Sequence, residues 1–124
     1  MKATTAEIMA LNEGIEGLFT CNIPAKMAFT LSRQQKEISN IVTSFATARN
    51  SLLEKYAKPQ DDRPGMFQFA SPEDAQKFQE EEQSLTNEEI DFKVINQINI
   101  NDFDGIQGVK GDWIRKLMPI IKID

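Results

Sequence analysis

The stretch "AKMAFTLSRQQKEISNIVTSFATARNSLLEKYA", residues 25–57, decides the fold of this chain. It contains neither Gly nor Pro, and apolar residues recur in it every seven positions, at Leu31, Ile38, Phe45 and Leu52. This spacing predicts one long amphipathic helix with an apolar stripe of coiled-coil type. Such a helix runs roughly 50 Å at 1.5 Å per residue. We therefore expect more than one other segment, or a second subunit, to cover it.

The residues before this stretch predict a shorter helix over 4–20. Thr4 and Glu7 stand at the spacing of a capping box, in which each side chain binds the backbone N–H of the other residue. Apolar residues then follow at helical spacing, at Ile8, Leu11, Ile15, Leu18 and Phe19. Gly14 and Gly17 weaken this helix by up to about 1 kcal/mol each relative to Ala. Their spacing also allows another backbone to approach closely.

Prolines divide the chain. Pro24 ends the first helix, because the residue before a proline is biased away from helical angles, and it is expected in the first turn of the second helix. The stretch "KPQDDRPG", residues 58–65, predicts a linker loop. We predict a single domain over 1–124 of class α+β, mainly α. It consists of a long helical hairpin (1–57) and a small acidic α/β cap (66–124).

The cap changes from one periodicity to another. A short extended piece at Met66–Ala70 precedes an acidic helix, for which Ser71 and Asp74 supply a capping motif. In residues 90–94 apolar and charged residues alternate, as in a half-buried strand. Because an isolated strand leaves its backbone groups unpaired, we expect these two extended segments to pair with each other. A short closing helix is expected, with Asp112 as its N-cap.

The charge is uneven along a chain whose net charge is −5. Residues 1–58 carry seven Lys/Arg and five Asp/Glu, residues 59–92 carry two and ten, and residues 93–124 carry five and four. On the long helix the basic residues are interspersed with acidic ones, which is typical of a solvated face. Since a nucleic-acid-binding protein presents a basic face, we expect no nucleic-acid partner.

The residue types exclude several kinds of catalytic and metal site. The chain has no histidine and one cysteine, so a Ser-His-Asp triad, a Cys-His pair and a zinc site of several Cys or His are impossible. The stretch "INDFDG" places Asp102 and Asp104 as in a calcium loop, but Gly111 stands where that loop needs its bidentate Glu. We therefore expect no enzymatic activity, no metal and no cofactor.

No apolar run is long enough to span a bilayer. The N-terminal residues "MKATTAEIMALNEG" are interrupted by polar and acidic residues, so they do not form the apolar core of a signal peptide. We expect a protein that has no membrane partner and is not secreted by its own signal. The single Cys21 fits a reducing compartment.

Four segments, in this order, resemble those of small phage-encoded accessory and virion-associated proteins of unknown function. They are a first amphipathic helix ending in "NIPAKMAFTLSR", a long helix closing in "ARNSLLEKYA", an acidic helix running into "EEIDFKVI", and a loop before a closing apolar helix. The resemblance implies a viral protein, located in the host cytoplasm or in the virion. It implies no catalytic residues.

These observations lead to a hypothesis of a non-enzymatic phage protein that acts through protein–protein contacts, as an oligomeric virion or assembly component. A partner protein or a second copy is expected to bind the long helix at Leu31, Ile38, Phe45 and Leu52. The alternative is a small inhibitor of a host defence system, which blocks a partner or sequesters a nucleotide signal. Candidates for anion or nucleotide contacts in that case are Arg33, Arg49 and Tyr56.

Overall fold

The structure of this protein is a computed structural model, which describes residues 1–59 and 67–123. Within them the helices are α1 (Thr5–Phe19), α2 (Ala25–Tyr56), α3 (Pro72–Thr86) and α4 (Gly111–Lys116). The strands are β1 (Lys2–Thr4), β2 (Ala57–Pro59), β3 (Phe67–Phe69), β4 (Glu89–Asp91), β5 (Ile98–Asn99) and β6 (Ile121–Lys122). Short 3-10 turns cover Ile100–Phe103 and Met118–Ile120. The predicted α+β class with mainly helical content is confirmed.

The helix starts follow the capping signals of the sequence. The Thr4 hydroxyl accepts a hydrogen bond from the backbone N–H of Glu7, and the Glu7 carboxylate accepts one from the backbone N–H of Thr4, both at 3.2 Å. Ser71 caps α3 by accepting from the N–H of Asp74 at 3.2 Å. Pro24 stands one position earlier than predicted, since it is the N-cap residue of α2 rather than part of its first turn.

α1 and α2 form the predicted hairpin. Its core consists of fully buried side chains from both helices: Ile8, Leu11, Ile15, Leu18, Leu31 and Ile38. Gln35 Nε2 donates a hydrogen bond to Asn12 Oδ1 across the two helices at 3.1 Å. Because α1 has 15 residues and α2 has 32, α1 covers only the N-terminal half of α2.

α3 covers the C-terminal half of α2. The Arg49 guanidinium binds Glu82 at 2.9 Å, and the Lys55 ammonium lies 3.8 Å from Glu81. These ion pairs are partly exposed and contribute little individually. Phe78 contributes more, since its buried ring lies beneath the Arg49 guanidinium, 5.8 Å from ring centroid to charge. The chain itself therefore supplies a second cover for its long helix.

α4 packs on α1 at the two glycines. A methyl group at Gly14 would lie 3.1 Å from the backbone oxygen of Trp113, and one at Gly17 would lie 2.5 Å from the indole ring of the same residue. The predicted close approach of another backbone is confirmed at Gly14. Leu117 and Ile120, which follow in the chain, are fully buried in the same core.

The prediction that Asp112 caps the closing helix is wrong. Lys110 occupies the N-cap, and Asp112 lies in the first turn, where it binds Lys116 at 3.1 Å. A carboxylate is stabilised in a first helical turn as well as at a cap, because the helix N-terminus carries partial positive charge. Hydrogen bonds from Lys116 hold the pKa of Asp112 below its usual range. Lys116 also binds Glu13 of α1 at 2.9 Å, which ties α4 to α1.

The predicted pairing of the extended segments is wrong in its partners. β3 pairs antiparallel with β2, with Phe69 opposite Ala57. β4 pairs antiparallel with β1, with Ile90 opposite Ala3. β5 and β6 pair in parallel. Each strand is only two or three residues long, so its partner is set by the helices that position it and not by its own composition.

The predicted linker, 58–65, begins within a strand. Lys58 and Pro59 belong to β2. The remainder of the linker prediction, 60–65, lies outside the described residues, as does Met66 of the predicted first extended piece.

The predicted strand over 90–94 is shorter, because its backbone changes partners along its length. Glu89–Asp91 pairs with β1, Phe92 exchanges backbone hydrogen bonds with Met1, and a side chain of α2 binds the groups of Lys93 and Ile95. Gln34 is fully buried, with 0% of its surface exposed. Its Nε2 donates to the carbonyl of Lys93 at 2.8 Å, and its Oε1 accepts from the N–H of Ile95 at 2.9 Å. Both ends of the amide are satisfied, and residues 93–95 are fastened to α2. We call this pair of hydrogen bonds the Gln34 clasp.

Replacing Gln34 by Leu removes the clasp and leaves a backbone carbonyl and a backbone N–H without their partner. Since each such buried group costs about 1–3 kcal/mol, we expect Gln34→Leu to lower the free energy of unfolding by about 2–4 kcal/mol in urea denaturation. The control is Gln35→Leu, which makes the same chemical change but removes one side-chain bond, and is expected to cost less than about 1 kcal/mol. Equal losses in the two variants would contradict the clasp.

Gly17→Ala tests the packing of α4 on α1. Ala favours the helix by about 1 kcal/mol, but the added methyl meets the Trp113 ring, and overpacking of this kind costs about 1–3 kcal/mol. We expect net destabilisation in thermal denaturation, reversed to stabilisation when Trp113 is replaced by Ala. The control is Gly111→Ala, because a methyl there meets no atom within 4 Å. Destabilisation of the same size in both backgrounds would show that the ring is not the cause.

Candidate functional site

The candidate site is a groove on α2. It lies between the N-terminal half of α2, on which α1 packs, and the C-terminal half, on which α3 packs. The groove has a volume of about 370 Å³, within the range in which proteins bind small molecules or single side chains. Its apolar lining residues are Ile41, Phe45, Ala48, Leu85 and Ile90. Its polar lining residues are Thr5, Asn40, Ser44 and Glu88. We call it the α2–α3 groove.

Three separate elements position the apolar side chains of the groove. Ile41 and Phe45 are one turn apart on α2, so they lie next to each other, and Phe45 belongs to the apolar stripe that the sequence predicted. Leu85 comes from the last turn of α3. Ile90 comes from β4, which is held in place by its pairing with Ala3 in β1 and by the Gln34 clasp that follows it. The groove therefore exists only when α3 and β4 are both docked on α2.

The rim of the groove is acidic. Residues 80–91 contain six Asp/Glu and no Lys/Arg. Glu88 lines the groove, whereas Glu89 and Asp91 alternate with the groove residue Ile90 on β4 and so lie on the other face of that strand. An apolar floor with a negative rim suits a ligand that combines an apolar group with positive charge.

The structure divides the four residues that were predicted to contact a partner. Leu31 and Ile38 are fully buried, with 0% of their surface exposed, so they pack in the core of the chain itself and are not available to a partner. Phe45 and Leu52 are half-buried. Phe45 lines the groove, whereas Leu52 lies in the part of α2 that α3 covers. The prediction of partner contact stays open for these two.

The three candidates for nucleotide contact are not brought together. Arg33 and Arg49 are sixteen residues apart on one continuous helix, which is about 24 Å at 1.5 Å per residue. Arg49 is already paired with Glu82. Tyr56 lies beside Lys55, and a hydrogen bond with Tyr56 together with the charge of Glu81 raises the pKa of that lysine. One chain therefore offers no convergent set of these three residues for a phosphate group.

Of the nine groove residues only Phe45 was predicted as a site residue, and Leu85, Glu88 and Ile90 come from segments that the sequence did not connect with α2. Leu85 is an isolated apolar residue in an acidic helix, and Ile90 has the alternation of an ordinary half-buried strand. Neither pattern indicates which helix it meets. The sequence signal for these residues is the length of α2. Its apolar stripe is longer than α1, so a second segment must pack on the remainder, and a gap is expected where α1 and that segment meet.

Other parts of the described chain indicate no specific ligand. A larger groove of about 650 Å³ at the N-terminal end of α2 is lined by polar residues of both charges, among them Lys26, Asp102 and Lys122. Within residues 1–59 and 67–123, His, Cys, Asp and Glu side chains form no group of three that could hold a metal ion. No helix in these ranges has the length and apolarity needed to cross a membrane.

No protein family, curated protein or solved structure matches this chain. The phage origin that the sequence resemblance implies therefore stays a prediction.

Proposed function

We propose that this chain is a non-enzymatic binding protein that acts through protein–protein contact, with the α2–α3 groove as its binding surface. The observation that carries the proposal is the half-buried Phe45 in an apolar groove between the two covers of α2. The sequence resemblance supports a phage setting for this activity, in the virion or in its assembly.

The groove defines the chemistry of the partner. Its apolar floor takes an aliphatic or aromatic side chain, because burying such a group contributes about 25 cal/mol per Å² of apolar surface. Its rim, with Glu88 at the edge, favours Lys or Arg next to that anchor. We therefore expect the partner segment to be an amphipathic helix with an apolar anchor and basic flanks, a recurrent mode of helix-in-groove recognition.

A synthetic amphipathic helical peptide with a Phe and a Leu anchor, flanked by Lys and Arg, tests the proposal. We expect it to shift the amide resonances of Ile41, Phe45, Ala48 and Leu85 saturably in ¹⁵N-resolved NMR spectra. Binding is expected to weaken as salt rises, because salt weakens the attraction between solvent-exposed charges of opposite sign. A peptide with the same anchors and Glu in place of Lys and Arg serves as the control, and we expect it not to bind.

Matched protein variants locate the binding surface. Ser44 is exposed and lines the groove, so Ser44→Trp fills the groove without disturbing the core and is expected to weaken peptide binding about tenfold or more. Thr47 is also exposed but is not a groove residue, so Thr47→Trp is expected to leave affinity unchanged. Absence of binding by the cationic peptide, or resonance shifts away from the groove, would overturn the proposal.

A further inference from the structure

A basic surface with an exposed aromatic ring lies on the N-terminal half of α2. We define the basic Phe patch as Lys26, Phe29, Arg33 and Lys36, all of which are exposed. Phe29 is 65% exposed, more than any other large apolar residue in the described part of the chain. The Arg33 guanidinium lies 5.6 Å from the centroid of its ring. The patch thus combines an apolar anchor with positive charge, which is the chemistry that the α2–α3 groove favours.

The patch and the groove share one face of the same helix. Residues spaced by four or seven positions lie on the same face of a helix. This holds on α2 for Phe29, Arg33, Asn40 and Ser44, and Lys36 and Glu37 lie between them. Asn40 and Ser44 line the groove. Phe29 and Ser44 are fifteen residues apart, about 22 Å along a straight helix. Phe29 therefore lies too far away to enter the groove of its own chain, but a second copy can bring it there.

We propose that the groove is occupied by a second copy of this chain, in a twofold-symmetric dimer with the two α2 helices antiparallel. The proposal deepens the proposed function, on which it rests, by naming the partner. The twofold axis passes α2 near Lys36 and Glu37, midway between Phe29 and Ser44. Each copy then inserts its Phe29 into the groove of the other.

The antiparallel register makes all the polar contacts complementary. With Phe29 opposite Ser44 of the second copy, Arg33 is opposite Asn40 at the edge of the groove that Glu88 lines. Lys36 is then opposite Glu37 of the second copy. Glu37 is the only acidic residue in 23–40, and this pairing adds a basic neighbour from the second copy to Arg33, which lies one turn away on its own helix. Both Phe29 contacts form at once, as an interface around a twofold axis requires.

The charge distribution favours this pairing over association of like surfaces. Each contact joins the basic Phe patch to the groove edge at Glu88, which lies in a segment, residues 80–91, that has six Asp/Glu and no Lys/Arg. The net charge of −5 repels two copies at long range, but salt screens that repulsion beyond about 8 Å at physiological ionic strength. The close contacts between opposite charges, at the rim of a partly apolar groove, are screened less.

Sedimentation equilibrium of the full chain from micromolar to submillimolar concentration tests the dimer. We expect the wild type to dimerise, and Phe29→Glu to raise the dissociation constant about thirtyfold or more because it removes the central anchor. Met118→Glu is the control: Met118 is also an exposed apolar residue, 42% exposed, but lies outside the patch and the groove, so dimerisation is expected to be unchanged. Circular dichroism and the melting temperature check that each variant is folded.

A charge exchange tests the register. Arg33→Glu alone and Glu88→Lys alone are each expected to weaken the dimer about tenfold. The double variant Arg33→Glu/Glu88→Lys restores opposite charges at both contacts and is expected to return to within about threefold of the wild type. A dimer that is insensitive to Phe29→Glu, or a double variant weaker than either single one, would overturn this interface.

The peptide experiment separates the two proposals. A wild type that is monomeric up to submillimolar concentration, but whose groove takes the cationic peptide, would overturn the dimer and leave the proposed function standing. A monomer whose groove binds no peptide would overturn both. A dimer in which the peptide competes with self-association, measured as monomer released on peptide addition, would support both.

Discussion

The buried amide of Gln34 is the interaction on which the arrangement of the second half of the chain depends. A polar side chain at 0% exposure is costly unless all its groups are paired, and Gln34 pairs both of its ends with the backbone around Lys93 and Ile95. These partners are about sixty residues away in the chain. The clasp fastens the segment after β4 to α2 and so helps to hold β4 where it pairs with β1 and where Ile90 forms a wall of the groove.

The length of α2 imposes the second constraint. A helix of 32 residues with an apolar stripe along it exposes too much apolar surface to be covered by a neighbour of 15 residues. α1 with α4 covers one half, and α3 covers the other through Phe78 and the ion pairs around Arg49. α1 and α3 approach each other near the middle of α2, and the α2–α3 groove lies at that point. The candidate site is therefore a consequence of packing two separate segments along one long helix.

Positive and negative charges lie in different places along α2. The N-terminal half of α2 carries exposed Lys and Arg around Phe29, and the groove farther along carries Glu88 at its edge. Exposed charges contribute little to the stability of the fold. Their arrangement matters for recognition, because opposite charges around an apolar anchor give orientation and register to a contact.

The sequence predicted the features that depend only on contacts between residues close together in the chain. The capping box of Thr4 and Glu7, the cap at Ser71 and the heptad stripe of α2 are satisfied within one or two turns, so periodicity and spacing predict them. The tertiary structure alone decided which strands pair, that Leu31 and Ile38 pack inside the chain while Phe45 lines a groove, and that Gln34 holds residues 93–95. These outcomes depend on contacts between segments tens of residues apart. The short strands and the single amide carry no local signal of their partners, because their hydrogen bonds join segments that are distant in the chain and are brought together by the packing of the helices.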